Sequence, residues 1–319
     1  MATSGTNTFT LTKNQVIELA FARIGVISEG ATLTDYQISR GSMLLNTMIK
    51  SWLAKGFRLW KTERGYLFPN TASNEYLLDG TTANATNAYI ATTLSADALT
   101  GATTISVTAA TGFAASYFVG VVLNNNTIFW TREVGAPSGT TITIADALTG
   151  DASSGNAVYV YAVKLGKVEN IINAQVQMNP TTQIPLQIIS RDTYDALSIK
   201  GLAGITNKLY YNKQLDYGII RLFGVPSSTG YIVNFTYQKQ FYDMTNPLDT
   251  FDFPVEWLRA LYLNLATTLY GFYPVADGEQ AKILLLEAQD ALAEVVSYDD
   301  EITSVYSYPA SDQNQGGFA

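Results

Sequence analysis

Carboxylates are the side chains here whose grouping could do acid–base work. Asp249, Asp252 and Glu256 form one cluster and Asp299, Asp300 and Glu301 another. A glycosidase sets two carboxyls across a cleft, and local spacing cannot supply that geometry. Asp252 and Glu256 have a sufficient duty at a helix start, where the positive end of the helix dipole favours acidic groups. Asp299 to Glu301 read as a solvated exit from a helix. The spacing Asp249-x-x-Asp252 offers oxygen ligands, but no EF-hand loop surrounds it. The chain contains no His and no Cys. Imidazole relays, thiolate nucleophiles, disulfides and the usual zinc sites are therefore excluded by composition. No Walker loop, dinucleotide fingerprint or G-x-S-x-G elbow is present. The sequence predicts no catalytic residue, no cofactor and no metal: not an enzyme.

Charge narrows the partners. Nineteen Lys and Arg stand against 27 Asp and Glu, for a formal charge of −8. The densest basic run holds Lys50, Lys55, Arg58, Lys61 and Arg64 and is diluted by aromatics. Tight DNA binding needs clustered cations on the phosphates, and none is found; DNA that only slides past is compatible with an acidic surface. No apolar run reaches the roughly 20 residues that span a bilayer. The first ten residues lack the basic and apolar segments of a signal peptide.

The elements that would position these groups centre on the stretch from Phe251 to Tyr273. Pro254 suits a first helical turn, and Gly271 and Pro274 mark the end. Leu258, Leu261, Leu265, Leu269 and Phe272 share one stripe at about 100° per residue, the core face of a helix. Trp257, Leu263 and Tyr270 fall off it. They fit either a wide core within one domain or a second face packed on a neighbouring subunit; the helix alone favours the first. Upstream, Thr12-x-x-Gln15 and Thr34-x-x-Gln37 are capping boxes opening two helices, the first stopped by Gly25 and the second by Gly56. Downstream, Asp277-x-x-Gln280 opens a last helix with Ile283, Leu284, Leu285, Leu286, Leu292, Val295 and Val296.

Between them the period changes to that of strands. Residues 91–163 are rich in Thr, Ala, Gly and Val and nearly uncharged. There Ala96-Asp97-Ala98-Leu99-Thr100-Gly101 recurs as Ala145-Asp146-Ala147-Leu148-Thr149-Gly150. The predicted class is α+β: a helical bundle formed by N- and C-terminal helices, a central β-domain, and an inserted small β-barrel or sandwich. The predicted divisions are 1–58 and 251–298 for the helices, 59–90 and 164–250 for the central β-region, 91–163 for the insert and 299–319 for an extended tail.

Four stretches follow in order: Leu33-Thr34-Asp35 leading to Trp52-Leu53-Ala54-Lys55-Gly56-Phe57, and Pro185-Leu186-Gln187-Ile188-Ile189-Ser190-Arg191-Asp192-Thr193-Tyr194. Tyr210-Tyr211 followed by Ile220-Arg221-Leu222-Phe223-Gly224-Val225-Pro226, and Asp252-Phe253-Pro254-Val255-Glu256-Trp257-Leu258-Arg259-Ala260-Leu261, complete the set. In this shared order the chain resembles the head-to-tail adaptor family of short-tailed bacteriophages, also called tail accessory or packaged-DNA-stabilisation (head-completion) proteins. The resemblance covers nearly the whole chain except the insert. It implies a structural homo-oligomer, a ring of about twelve copies with closed cyclic symmetry. The ring would sit at the head–tail junction of the virion after assembly in the host cytoplasm. Its implied partners are the portal protein above and a tail tube or nozzle protein below, with DNA passing through unbound and no membrane involved. Trp257, Leu263 and Tyr270 would then be subunit contacts, and the tail with Tyr298, Tyr306, Tyr308 and Phe318 the portal contact. The rival expectation is a tail-associated receptor- or glycan-binding protein that uses the inserted β-domain.

Overall fold

A computed structural model describes residues 9–28, 30–55, 62–71, 73–178, 182–227, 230–240, 243–251, 254–273 and 278–299. Helices α1 (Lys13–Arg23) and α2 (Asp35–Ala54) open the chain. Strands β1 (Thr62–Leu67), β2 (Glu75–Leu78) and β3 (Ala85–Thr86) follow. Next come β4 (Ile90–Thr93), β5 (Thr104–Ser106), β6 (Phe118–Val122), β7 (Ile128–Arg132), β8 (Thr141–Thr143) and β9 (Ala157–Tyr161). The chain continues through β10 (Asn170–Gln177), β11 (Gln183–Ile188), α3 (Arg191–Asp195), β12 (Ala203–Gly204), β13 (Lys208–Lys213), β14 (Gly218–Phe223), β15 (Val225–Pro226) and β16 (Ile232–Gln238). Helices α4 (Trp257–Tyr270) and α5 (Gly278–Asp299) close it. The class is α+β. Two compact units divide it, one from residues 1–60 with 242–319 and one from 61–241.

In the first unit the helix starts follow their capping chemistry. Thr12 accepts from the Gln15 amide while the Gln15 side chain accepts from the Thr12 N–H. Thr34 and Gln37 repeat the reciprocal pair at α2. Gly25 takes φ +77 after α1, a conformation that costs a glycine little. Helix α4 touches α1, α2 and α5. Its Asn264 side chain donates to the Ala260 carbonyl of its own helix and to the Ala288 carbonyl of α5, at 2.9 and 3.1 Å. Arg23 of α1 pairs with Glu287 of α5 at 2.5 Å, and Lys50 of α2 with Asp243 at 2.6 Å. The Asp277 cap and the Gly56 stop lie outside the described residues.

The second unit is built on an eight-stranded sheet ordered β2-β14-β13-β11-β10-β16-β1-β3. Its two outermost strands, β2 and β3, are consecutive in the chain. A link of six residues spans at most about 20 Å, so the sheet must curl until its edges approach. The result is nearly a closed barrel. Ala83 N–H donates to the Leu77 carbonyl inside that link, and Lys164 holds the Thr81 and Thr82 carbonyls. Along the longer strands inward residues alternate with outward ones, among them Leu67, Leu78, Ala174, Val176, Leu209, Leu222, Val233 and Phe235, and form one core. A bulge at Ile172 on β10 resets the alternation, so Asn173, Gln175 and Gln177 point outward.

Strands β4 to β9 form a four-stranded sheet, β4-β9-β6-β7, over the β5–β8 pair. Between them lies a second core that includes Leu94, Ile105, Val119, Val121, Ile142 and Val158. The repeated hexapeptides lie against one another. Gly101 N–H donates to Leu148, and Leu148 N–H to Ala102, the residue after the first copy. A hydrophobic cluster of Phe68, Tyr159, Tyr161 and Ile232 joins this part to the large sheet.

Candidate assembly surface

Helix α4 answers the question its sequence left open. Trp257 is 0% and Leu263 3% exposed within the single chain, so neither can meet another subunit. This corrects their assignment as subunit contacts. The reason is that α4 has neighbours on several sides: the off-stripe flank is covered by helices of its own chain, Trp52 of α2 among them. The stripe itself is buried at Leu258, Leu261, Leu265 and Leu269. Phe272 is not part of it. It lies past the C-cap at Gly271, is 52% exposed, and its ring stands 4.9 Å from the Arg40 guanidinium, which also faces Tyr36.

Tyr270 is half-buried. It borders an open hollow of about 310 Å³ together with Thr267, Ala281, Lys282, Leu284 and Leu285. Beside the hollow, α5 presents Ile283, Leu285 and Leu286 to solvent at 51, 50 and 59% exposure. Four consecutive apolar residues, Ile283 to Leu286, wrap most of a helix circumference. Only one stripe, Leu284, Ala288, Ala291 and Val295, can face the core, and those residues are buried. The other three are left outside by geometry. The run of four apolar residues is legible in the sequence; which of them faces the core is set by the α4 contact.

Of the residues assigned to a portal contact, Tyr298 falls in the last turn of α5, with its side chain outside the described residues. Tyr306, Tyr308 and Phe318 lie outside them altogether.

Of the two carboxylate clusters, only the Asp249 and Glu256 side chains are described. Asp249 accepts from the Asn246 backbone at 2.8 Å and from its amide at 3.2 Å. Those bonds, the backbone one foremost, hold its carboxyl below the usual range. Glu256 ends up at the N-cap of α4 without a side-chain capping bond. Asp252, Asp300, Glu301 and the Asp299 side chain lie outside the described residues. Among those described, no three acidic groups are placed to hold a metal ion, and no helix is long and apolar enough to cross a membrane. In the basic run Lys50 is paired with Asp243 and Arg64 sits on β1; Arg58 and Lys61 lie outside the described residues.

No protein-family model matches the chain, and no curated protein matches it significantly.

Proposed function

We propose that this chain is a structural head-to-tail adaptor of a tailed bacteriophage virion, not an enzyme. It joins the portal protein to the tail tube or nozzle as a homo-oligomeric ring of about twelve copies through which DNA passes. A bundle of the N- and C-terminal helices forms the body of each subunit. The observation that carries the reading is the exposure of Ile283, Leu285 and Leu286 around one turn of α5, with Leu285 bordering the hollow beside half-buried Tyr270. Large apolar side chains exposed together on one helix turn mark a protein contact more often than a solvated face. A second copy of the same chain supplies a matching apolar face around a closed ring. The ordered motifs that resemble the adaptor family support the same reading, and the acidic chain suits a conduit that does not grip DNA.

The test is to mix purified protein with purified portal and examine the product by electron microscopy. A cyclic ring stacked on the portal is expected, and its loss on combining Ile283→Glu with Leu286→Glu at unchanged thermal midpoint. A defined free dimer that never joins the portal would overturn the reading. So would normal rings from the double variant.

A further inference from the structure

We infer that the outer face of the eight-stranded sheet, over β11, β10, β16 and β1, is a binding groove for a neutral, hydroxyl-rich ligand, a short oligosaccharide. The inference stands on the sheet unit alone and does not depend on assembly beneath a portal.

The register builds the site row by row. Gln175 of β10 lies opposite Pro185 of β11 on one side and Asn234 of β16 on the other, and Asn234 lies opposite Tyr66 of β1. In the row above, Gln183 faces Gln177, which faces Ile232. In the row below, Asn173 faces Thr236, which faces Arg64. All these positions alternate with the buried core residues, so they share the outer face. Four strands about 4.8 Å apart give a row of about 14 Å, the length of a short chain of sugar rings rather than one.

The face is concave. Arg64, Tyr66, Tyr89, Asn173, Gln175, Gln177, Gln183, Asn234 and Thr236 help to line a cavity of about 560 Å³, within the range of ligand sites. Its wall at the Ile232 end is the root of the inserted sheets, where Phe68, Tyr159 and Tyr161 cover that residue. Tyr66 and Tyr89 meet edge to face at 4.8 Å there, and both stay half-buried.

The chemistry selects the ligand class. Five of the lining side chains are amides, and each presents a donor and an acceptor in a fixed fork. A hydroxyl both donates and accepts, so a row of amides matches a row of hydroxyls. Among the described lining residues there is no carboxylate, so a divalent cation finds no anionic ligand in them. Among the described lining residues Arg64 is the one cation, too little for a polyphosphate or a nucleic acid. An ordinary solvated sheet face would use Thr and mixed charges, since Asn is disfavoured in strands. Asn234 adds a demand of its own. Its Nδ2 donates to Gln177 Oε1 at 2.9 Å, while its Oδ1 is enclosed and accepts nothing from the chain. Such an acceptor calls for a donor.

The experiment applies full-length protein to an array of neutral oligosaccharides, with soluble maltohexaose, cellohexaose and chitohexaose as calorimetric probes. Saturable binding by at least one neutral glycan is expected. Combining Gln175→Ala with Gln177→Ala should weaken it about tenfold or more, the loss of two amide contacts. Gln183→Ala, at an exposed position, should weaken it to a lesser degree with the thermal midpoint unchanged, which covers the case of a double variant that folds poorly. Leu99→Ser in the inserted sheets should leave it unaltered. An array without a neutral hit overturns the inference. So does binding only to sulfated or phosphorylated glycans, binding undiminished in the amide variants, or binding lost only on changing the insert.

Discussion

The indole of Trp52 lies 5.7 Å, centroid to centroid, from that of Trp257, the planes tilted by 52°. One ring belongs to the last turns of α2 and the other opens α4, so the pair ties the start of the chain to its far end. Among the described residues Trp257 is also the largest fully buried side chain. Trp257→Ala should therefore cost about 3–5 kcal/mol, the usual penalty for emptying a large aromatic site. Trp257→Phe should recover much of it. Urea unfolding followed by tryptophan fluorescence measures both, and a cost below about 1 kcal/mol for the alanine variant would mean the site collapses around the gap.

A second expectation concerns Glu133, which is 3% exposed in the inserted sheets with neither carboxylate oxygen accepting a hydrogen bond. Burial pushes its pKa up. A folded pKa above the unfolded one means the fold is penalised once the free chain ionises. The penalty is absent below the unfolded value of about 4.3 and grows as pH rises through the folded value. Glu133→Met fills similar space without the charge. It should stabilise the protein at pH 7 by about 1–3 kcal/mol, the scale of a buried unsatisfied polar group. Thermal unfolding across pH should show that advantage shrinking as the solution is acidified. An advantage that grows toward low pH would contradict the assignment.

Much of the fold is written locally. The Thr12–Gln15 and Thr34–Gln37 boxes place two helix starts, and burial alternates along β14 and β16 as the strand period of this region predicts. Asn126 takes φ 65°, a left-handed conformation that Asn tolerates better than most residues. Three features are not local. Strands β3, β12 and β15 have two residues each, too few for any periodicity. The curl of the large sheet depends on β2 and β3 occupying opposite edges, a property of pairing order. The burial of Trp257 and Leu263 depends on how many neighbours surround α4, which its own stripe cannot reveal. For the groove, the outward amides at Gln175, Gln177 and Asn234 are visible in sequence. Only the register, reset by the bulge at Ile172, sets them side by side.

The link that lets the sheet curl is fastened by Asp79. One carboxylate oxygen accepts from the Thr81 and Thr82 amides at 2.7 and 2.6 Å, and the other from the Thr82 hydroxyl at 2.7 Å. Burial alone would raise its pKa, but these bonds outweigh it and hold the carboxyl far below the usual range. With the folded value depressed, the stabilisation is complete above the unfolded value of about 3.9 and is lost as pH falls through the folded one. Asp79→Ala should cost about 1 kcal/mol at pH 7, the low side for bonds to a charged acceptor because the turn meets solvent. The gap between the two proteins should close in strong acid. A gap independent of pH would assign the loss to the backbone turn and not to the carboxylate.

Gly65 tests how tightly the barrel interior is filled. It pairs with Phe235 across β1 and β16, and a Cβ built there would stand 2.5 Å from the Phe235 ring. Two effects of opposite sign meet at this position. Replacing a strand glycine by alanine normally gains about 0.5–1 kcal/mol through the unfolded chain. Forcing a methyl into a packed core costs about 1–3 kcal/mol. The ring cannot recede without moving its neighbours, Tyr237 at 5.8 Å between centroids among them, so overpacking should win. Gly65→Ala is expected to destabilise by about 1–2 kcal/mol net. Phe235→Leu removes the obstructing ring, so adding Gly65→Ala to that background should cost less than it does alone, a favourable coupling between adjacent residues. Strict additivity in the double-mutant cycle would mean that the ring yields freely and that the interior beside Gly65 is loose.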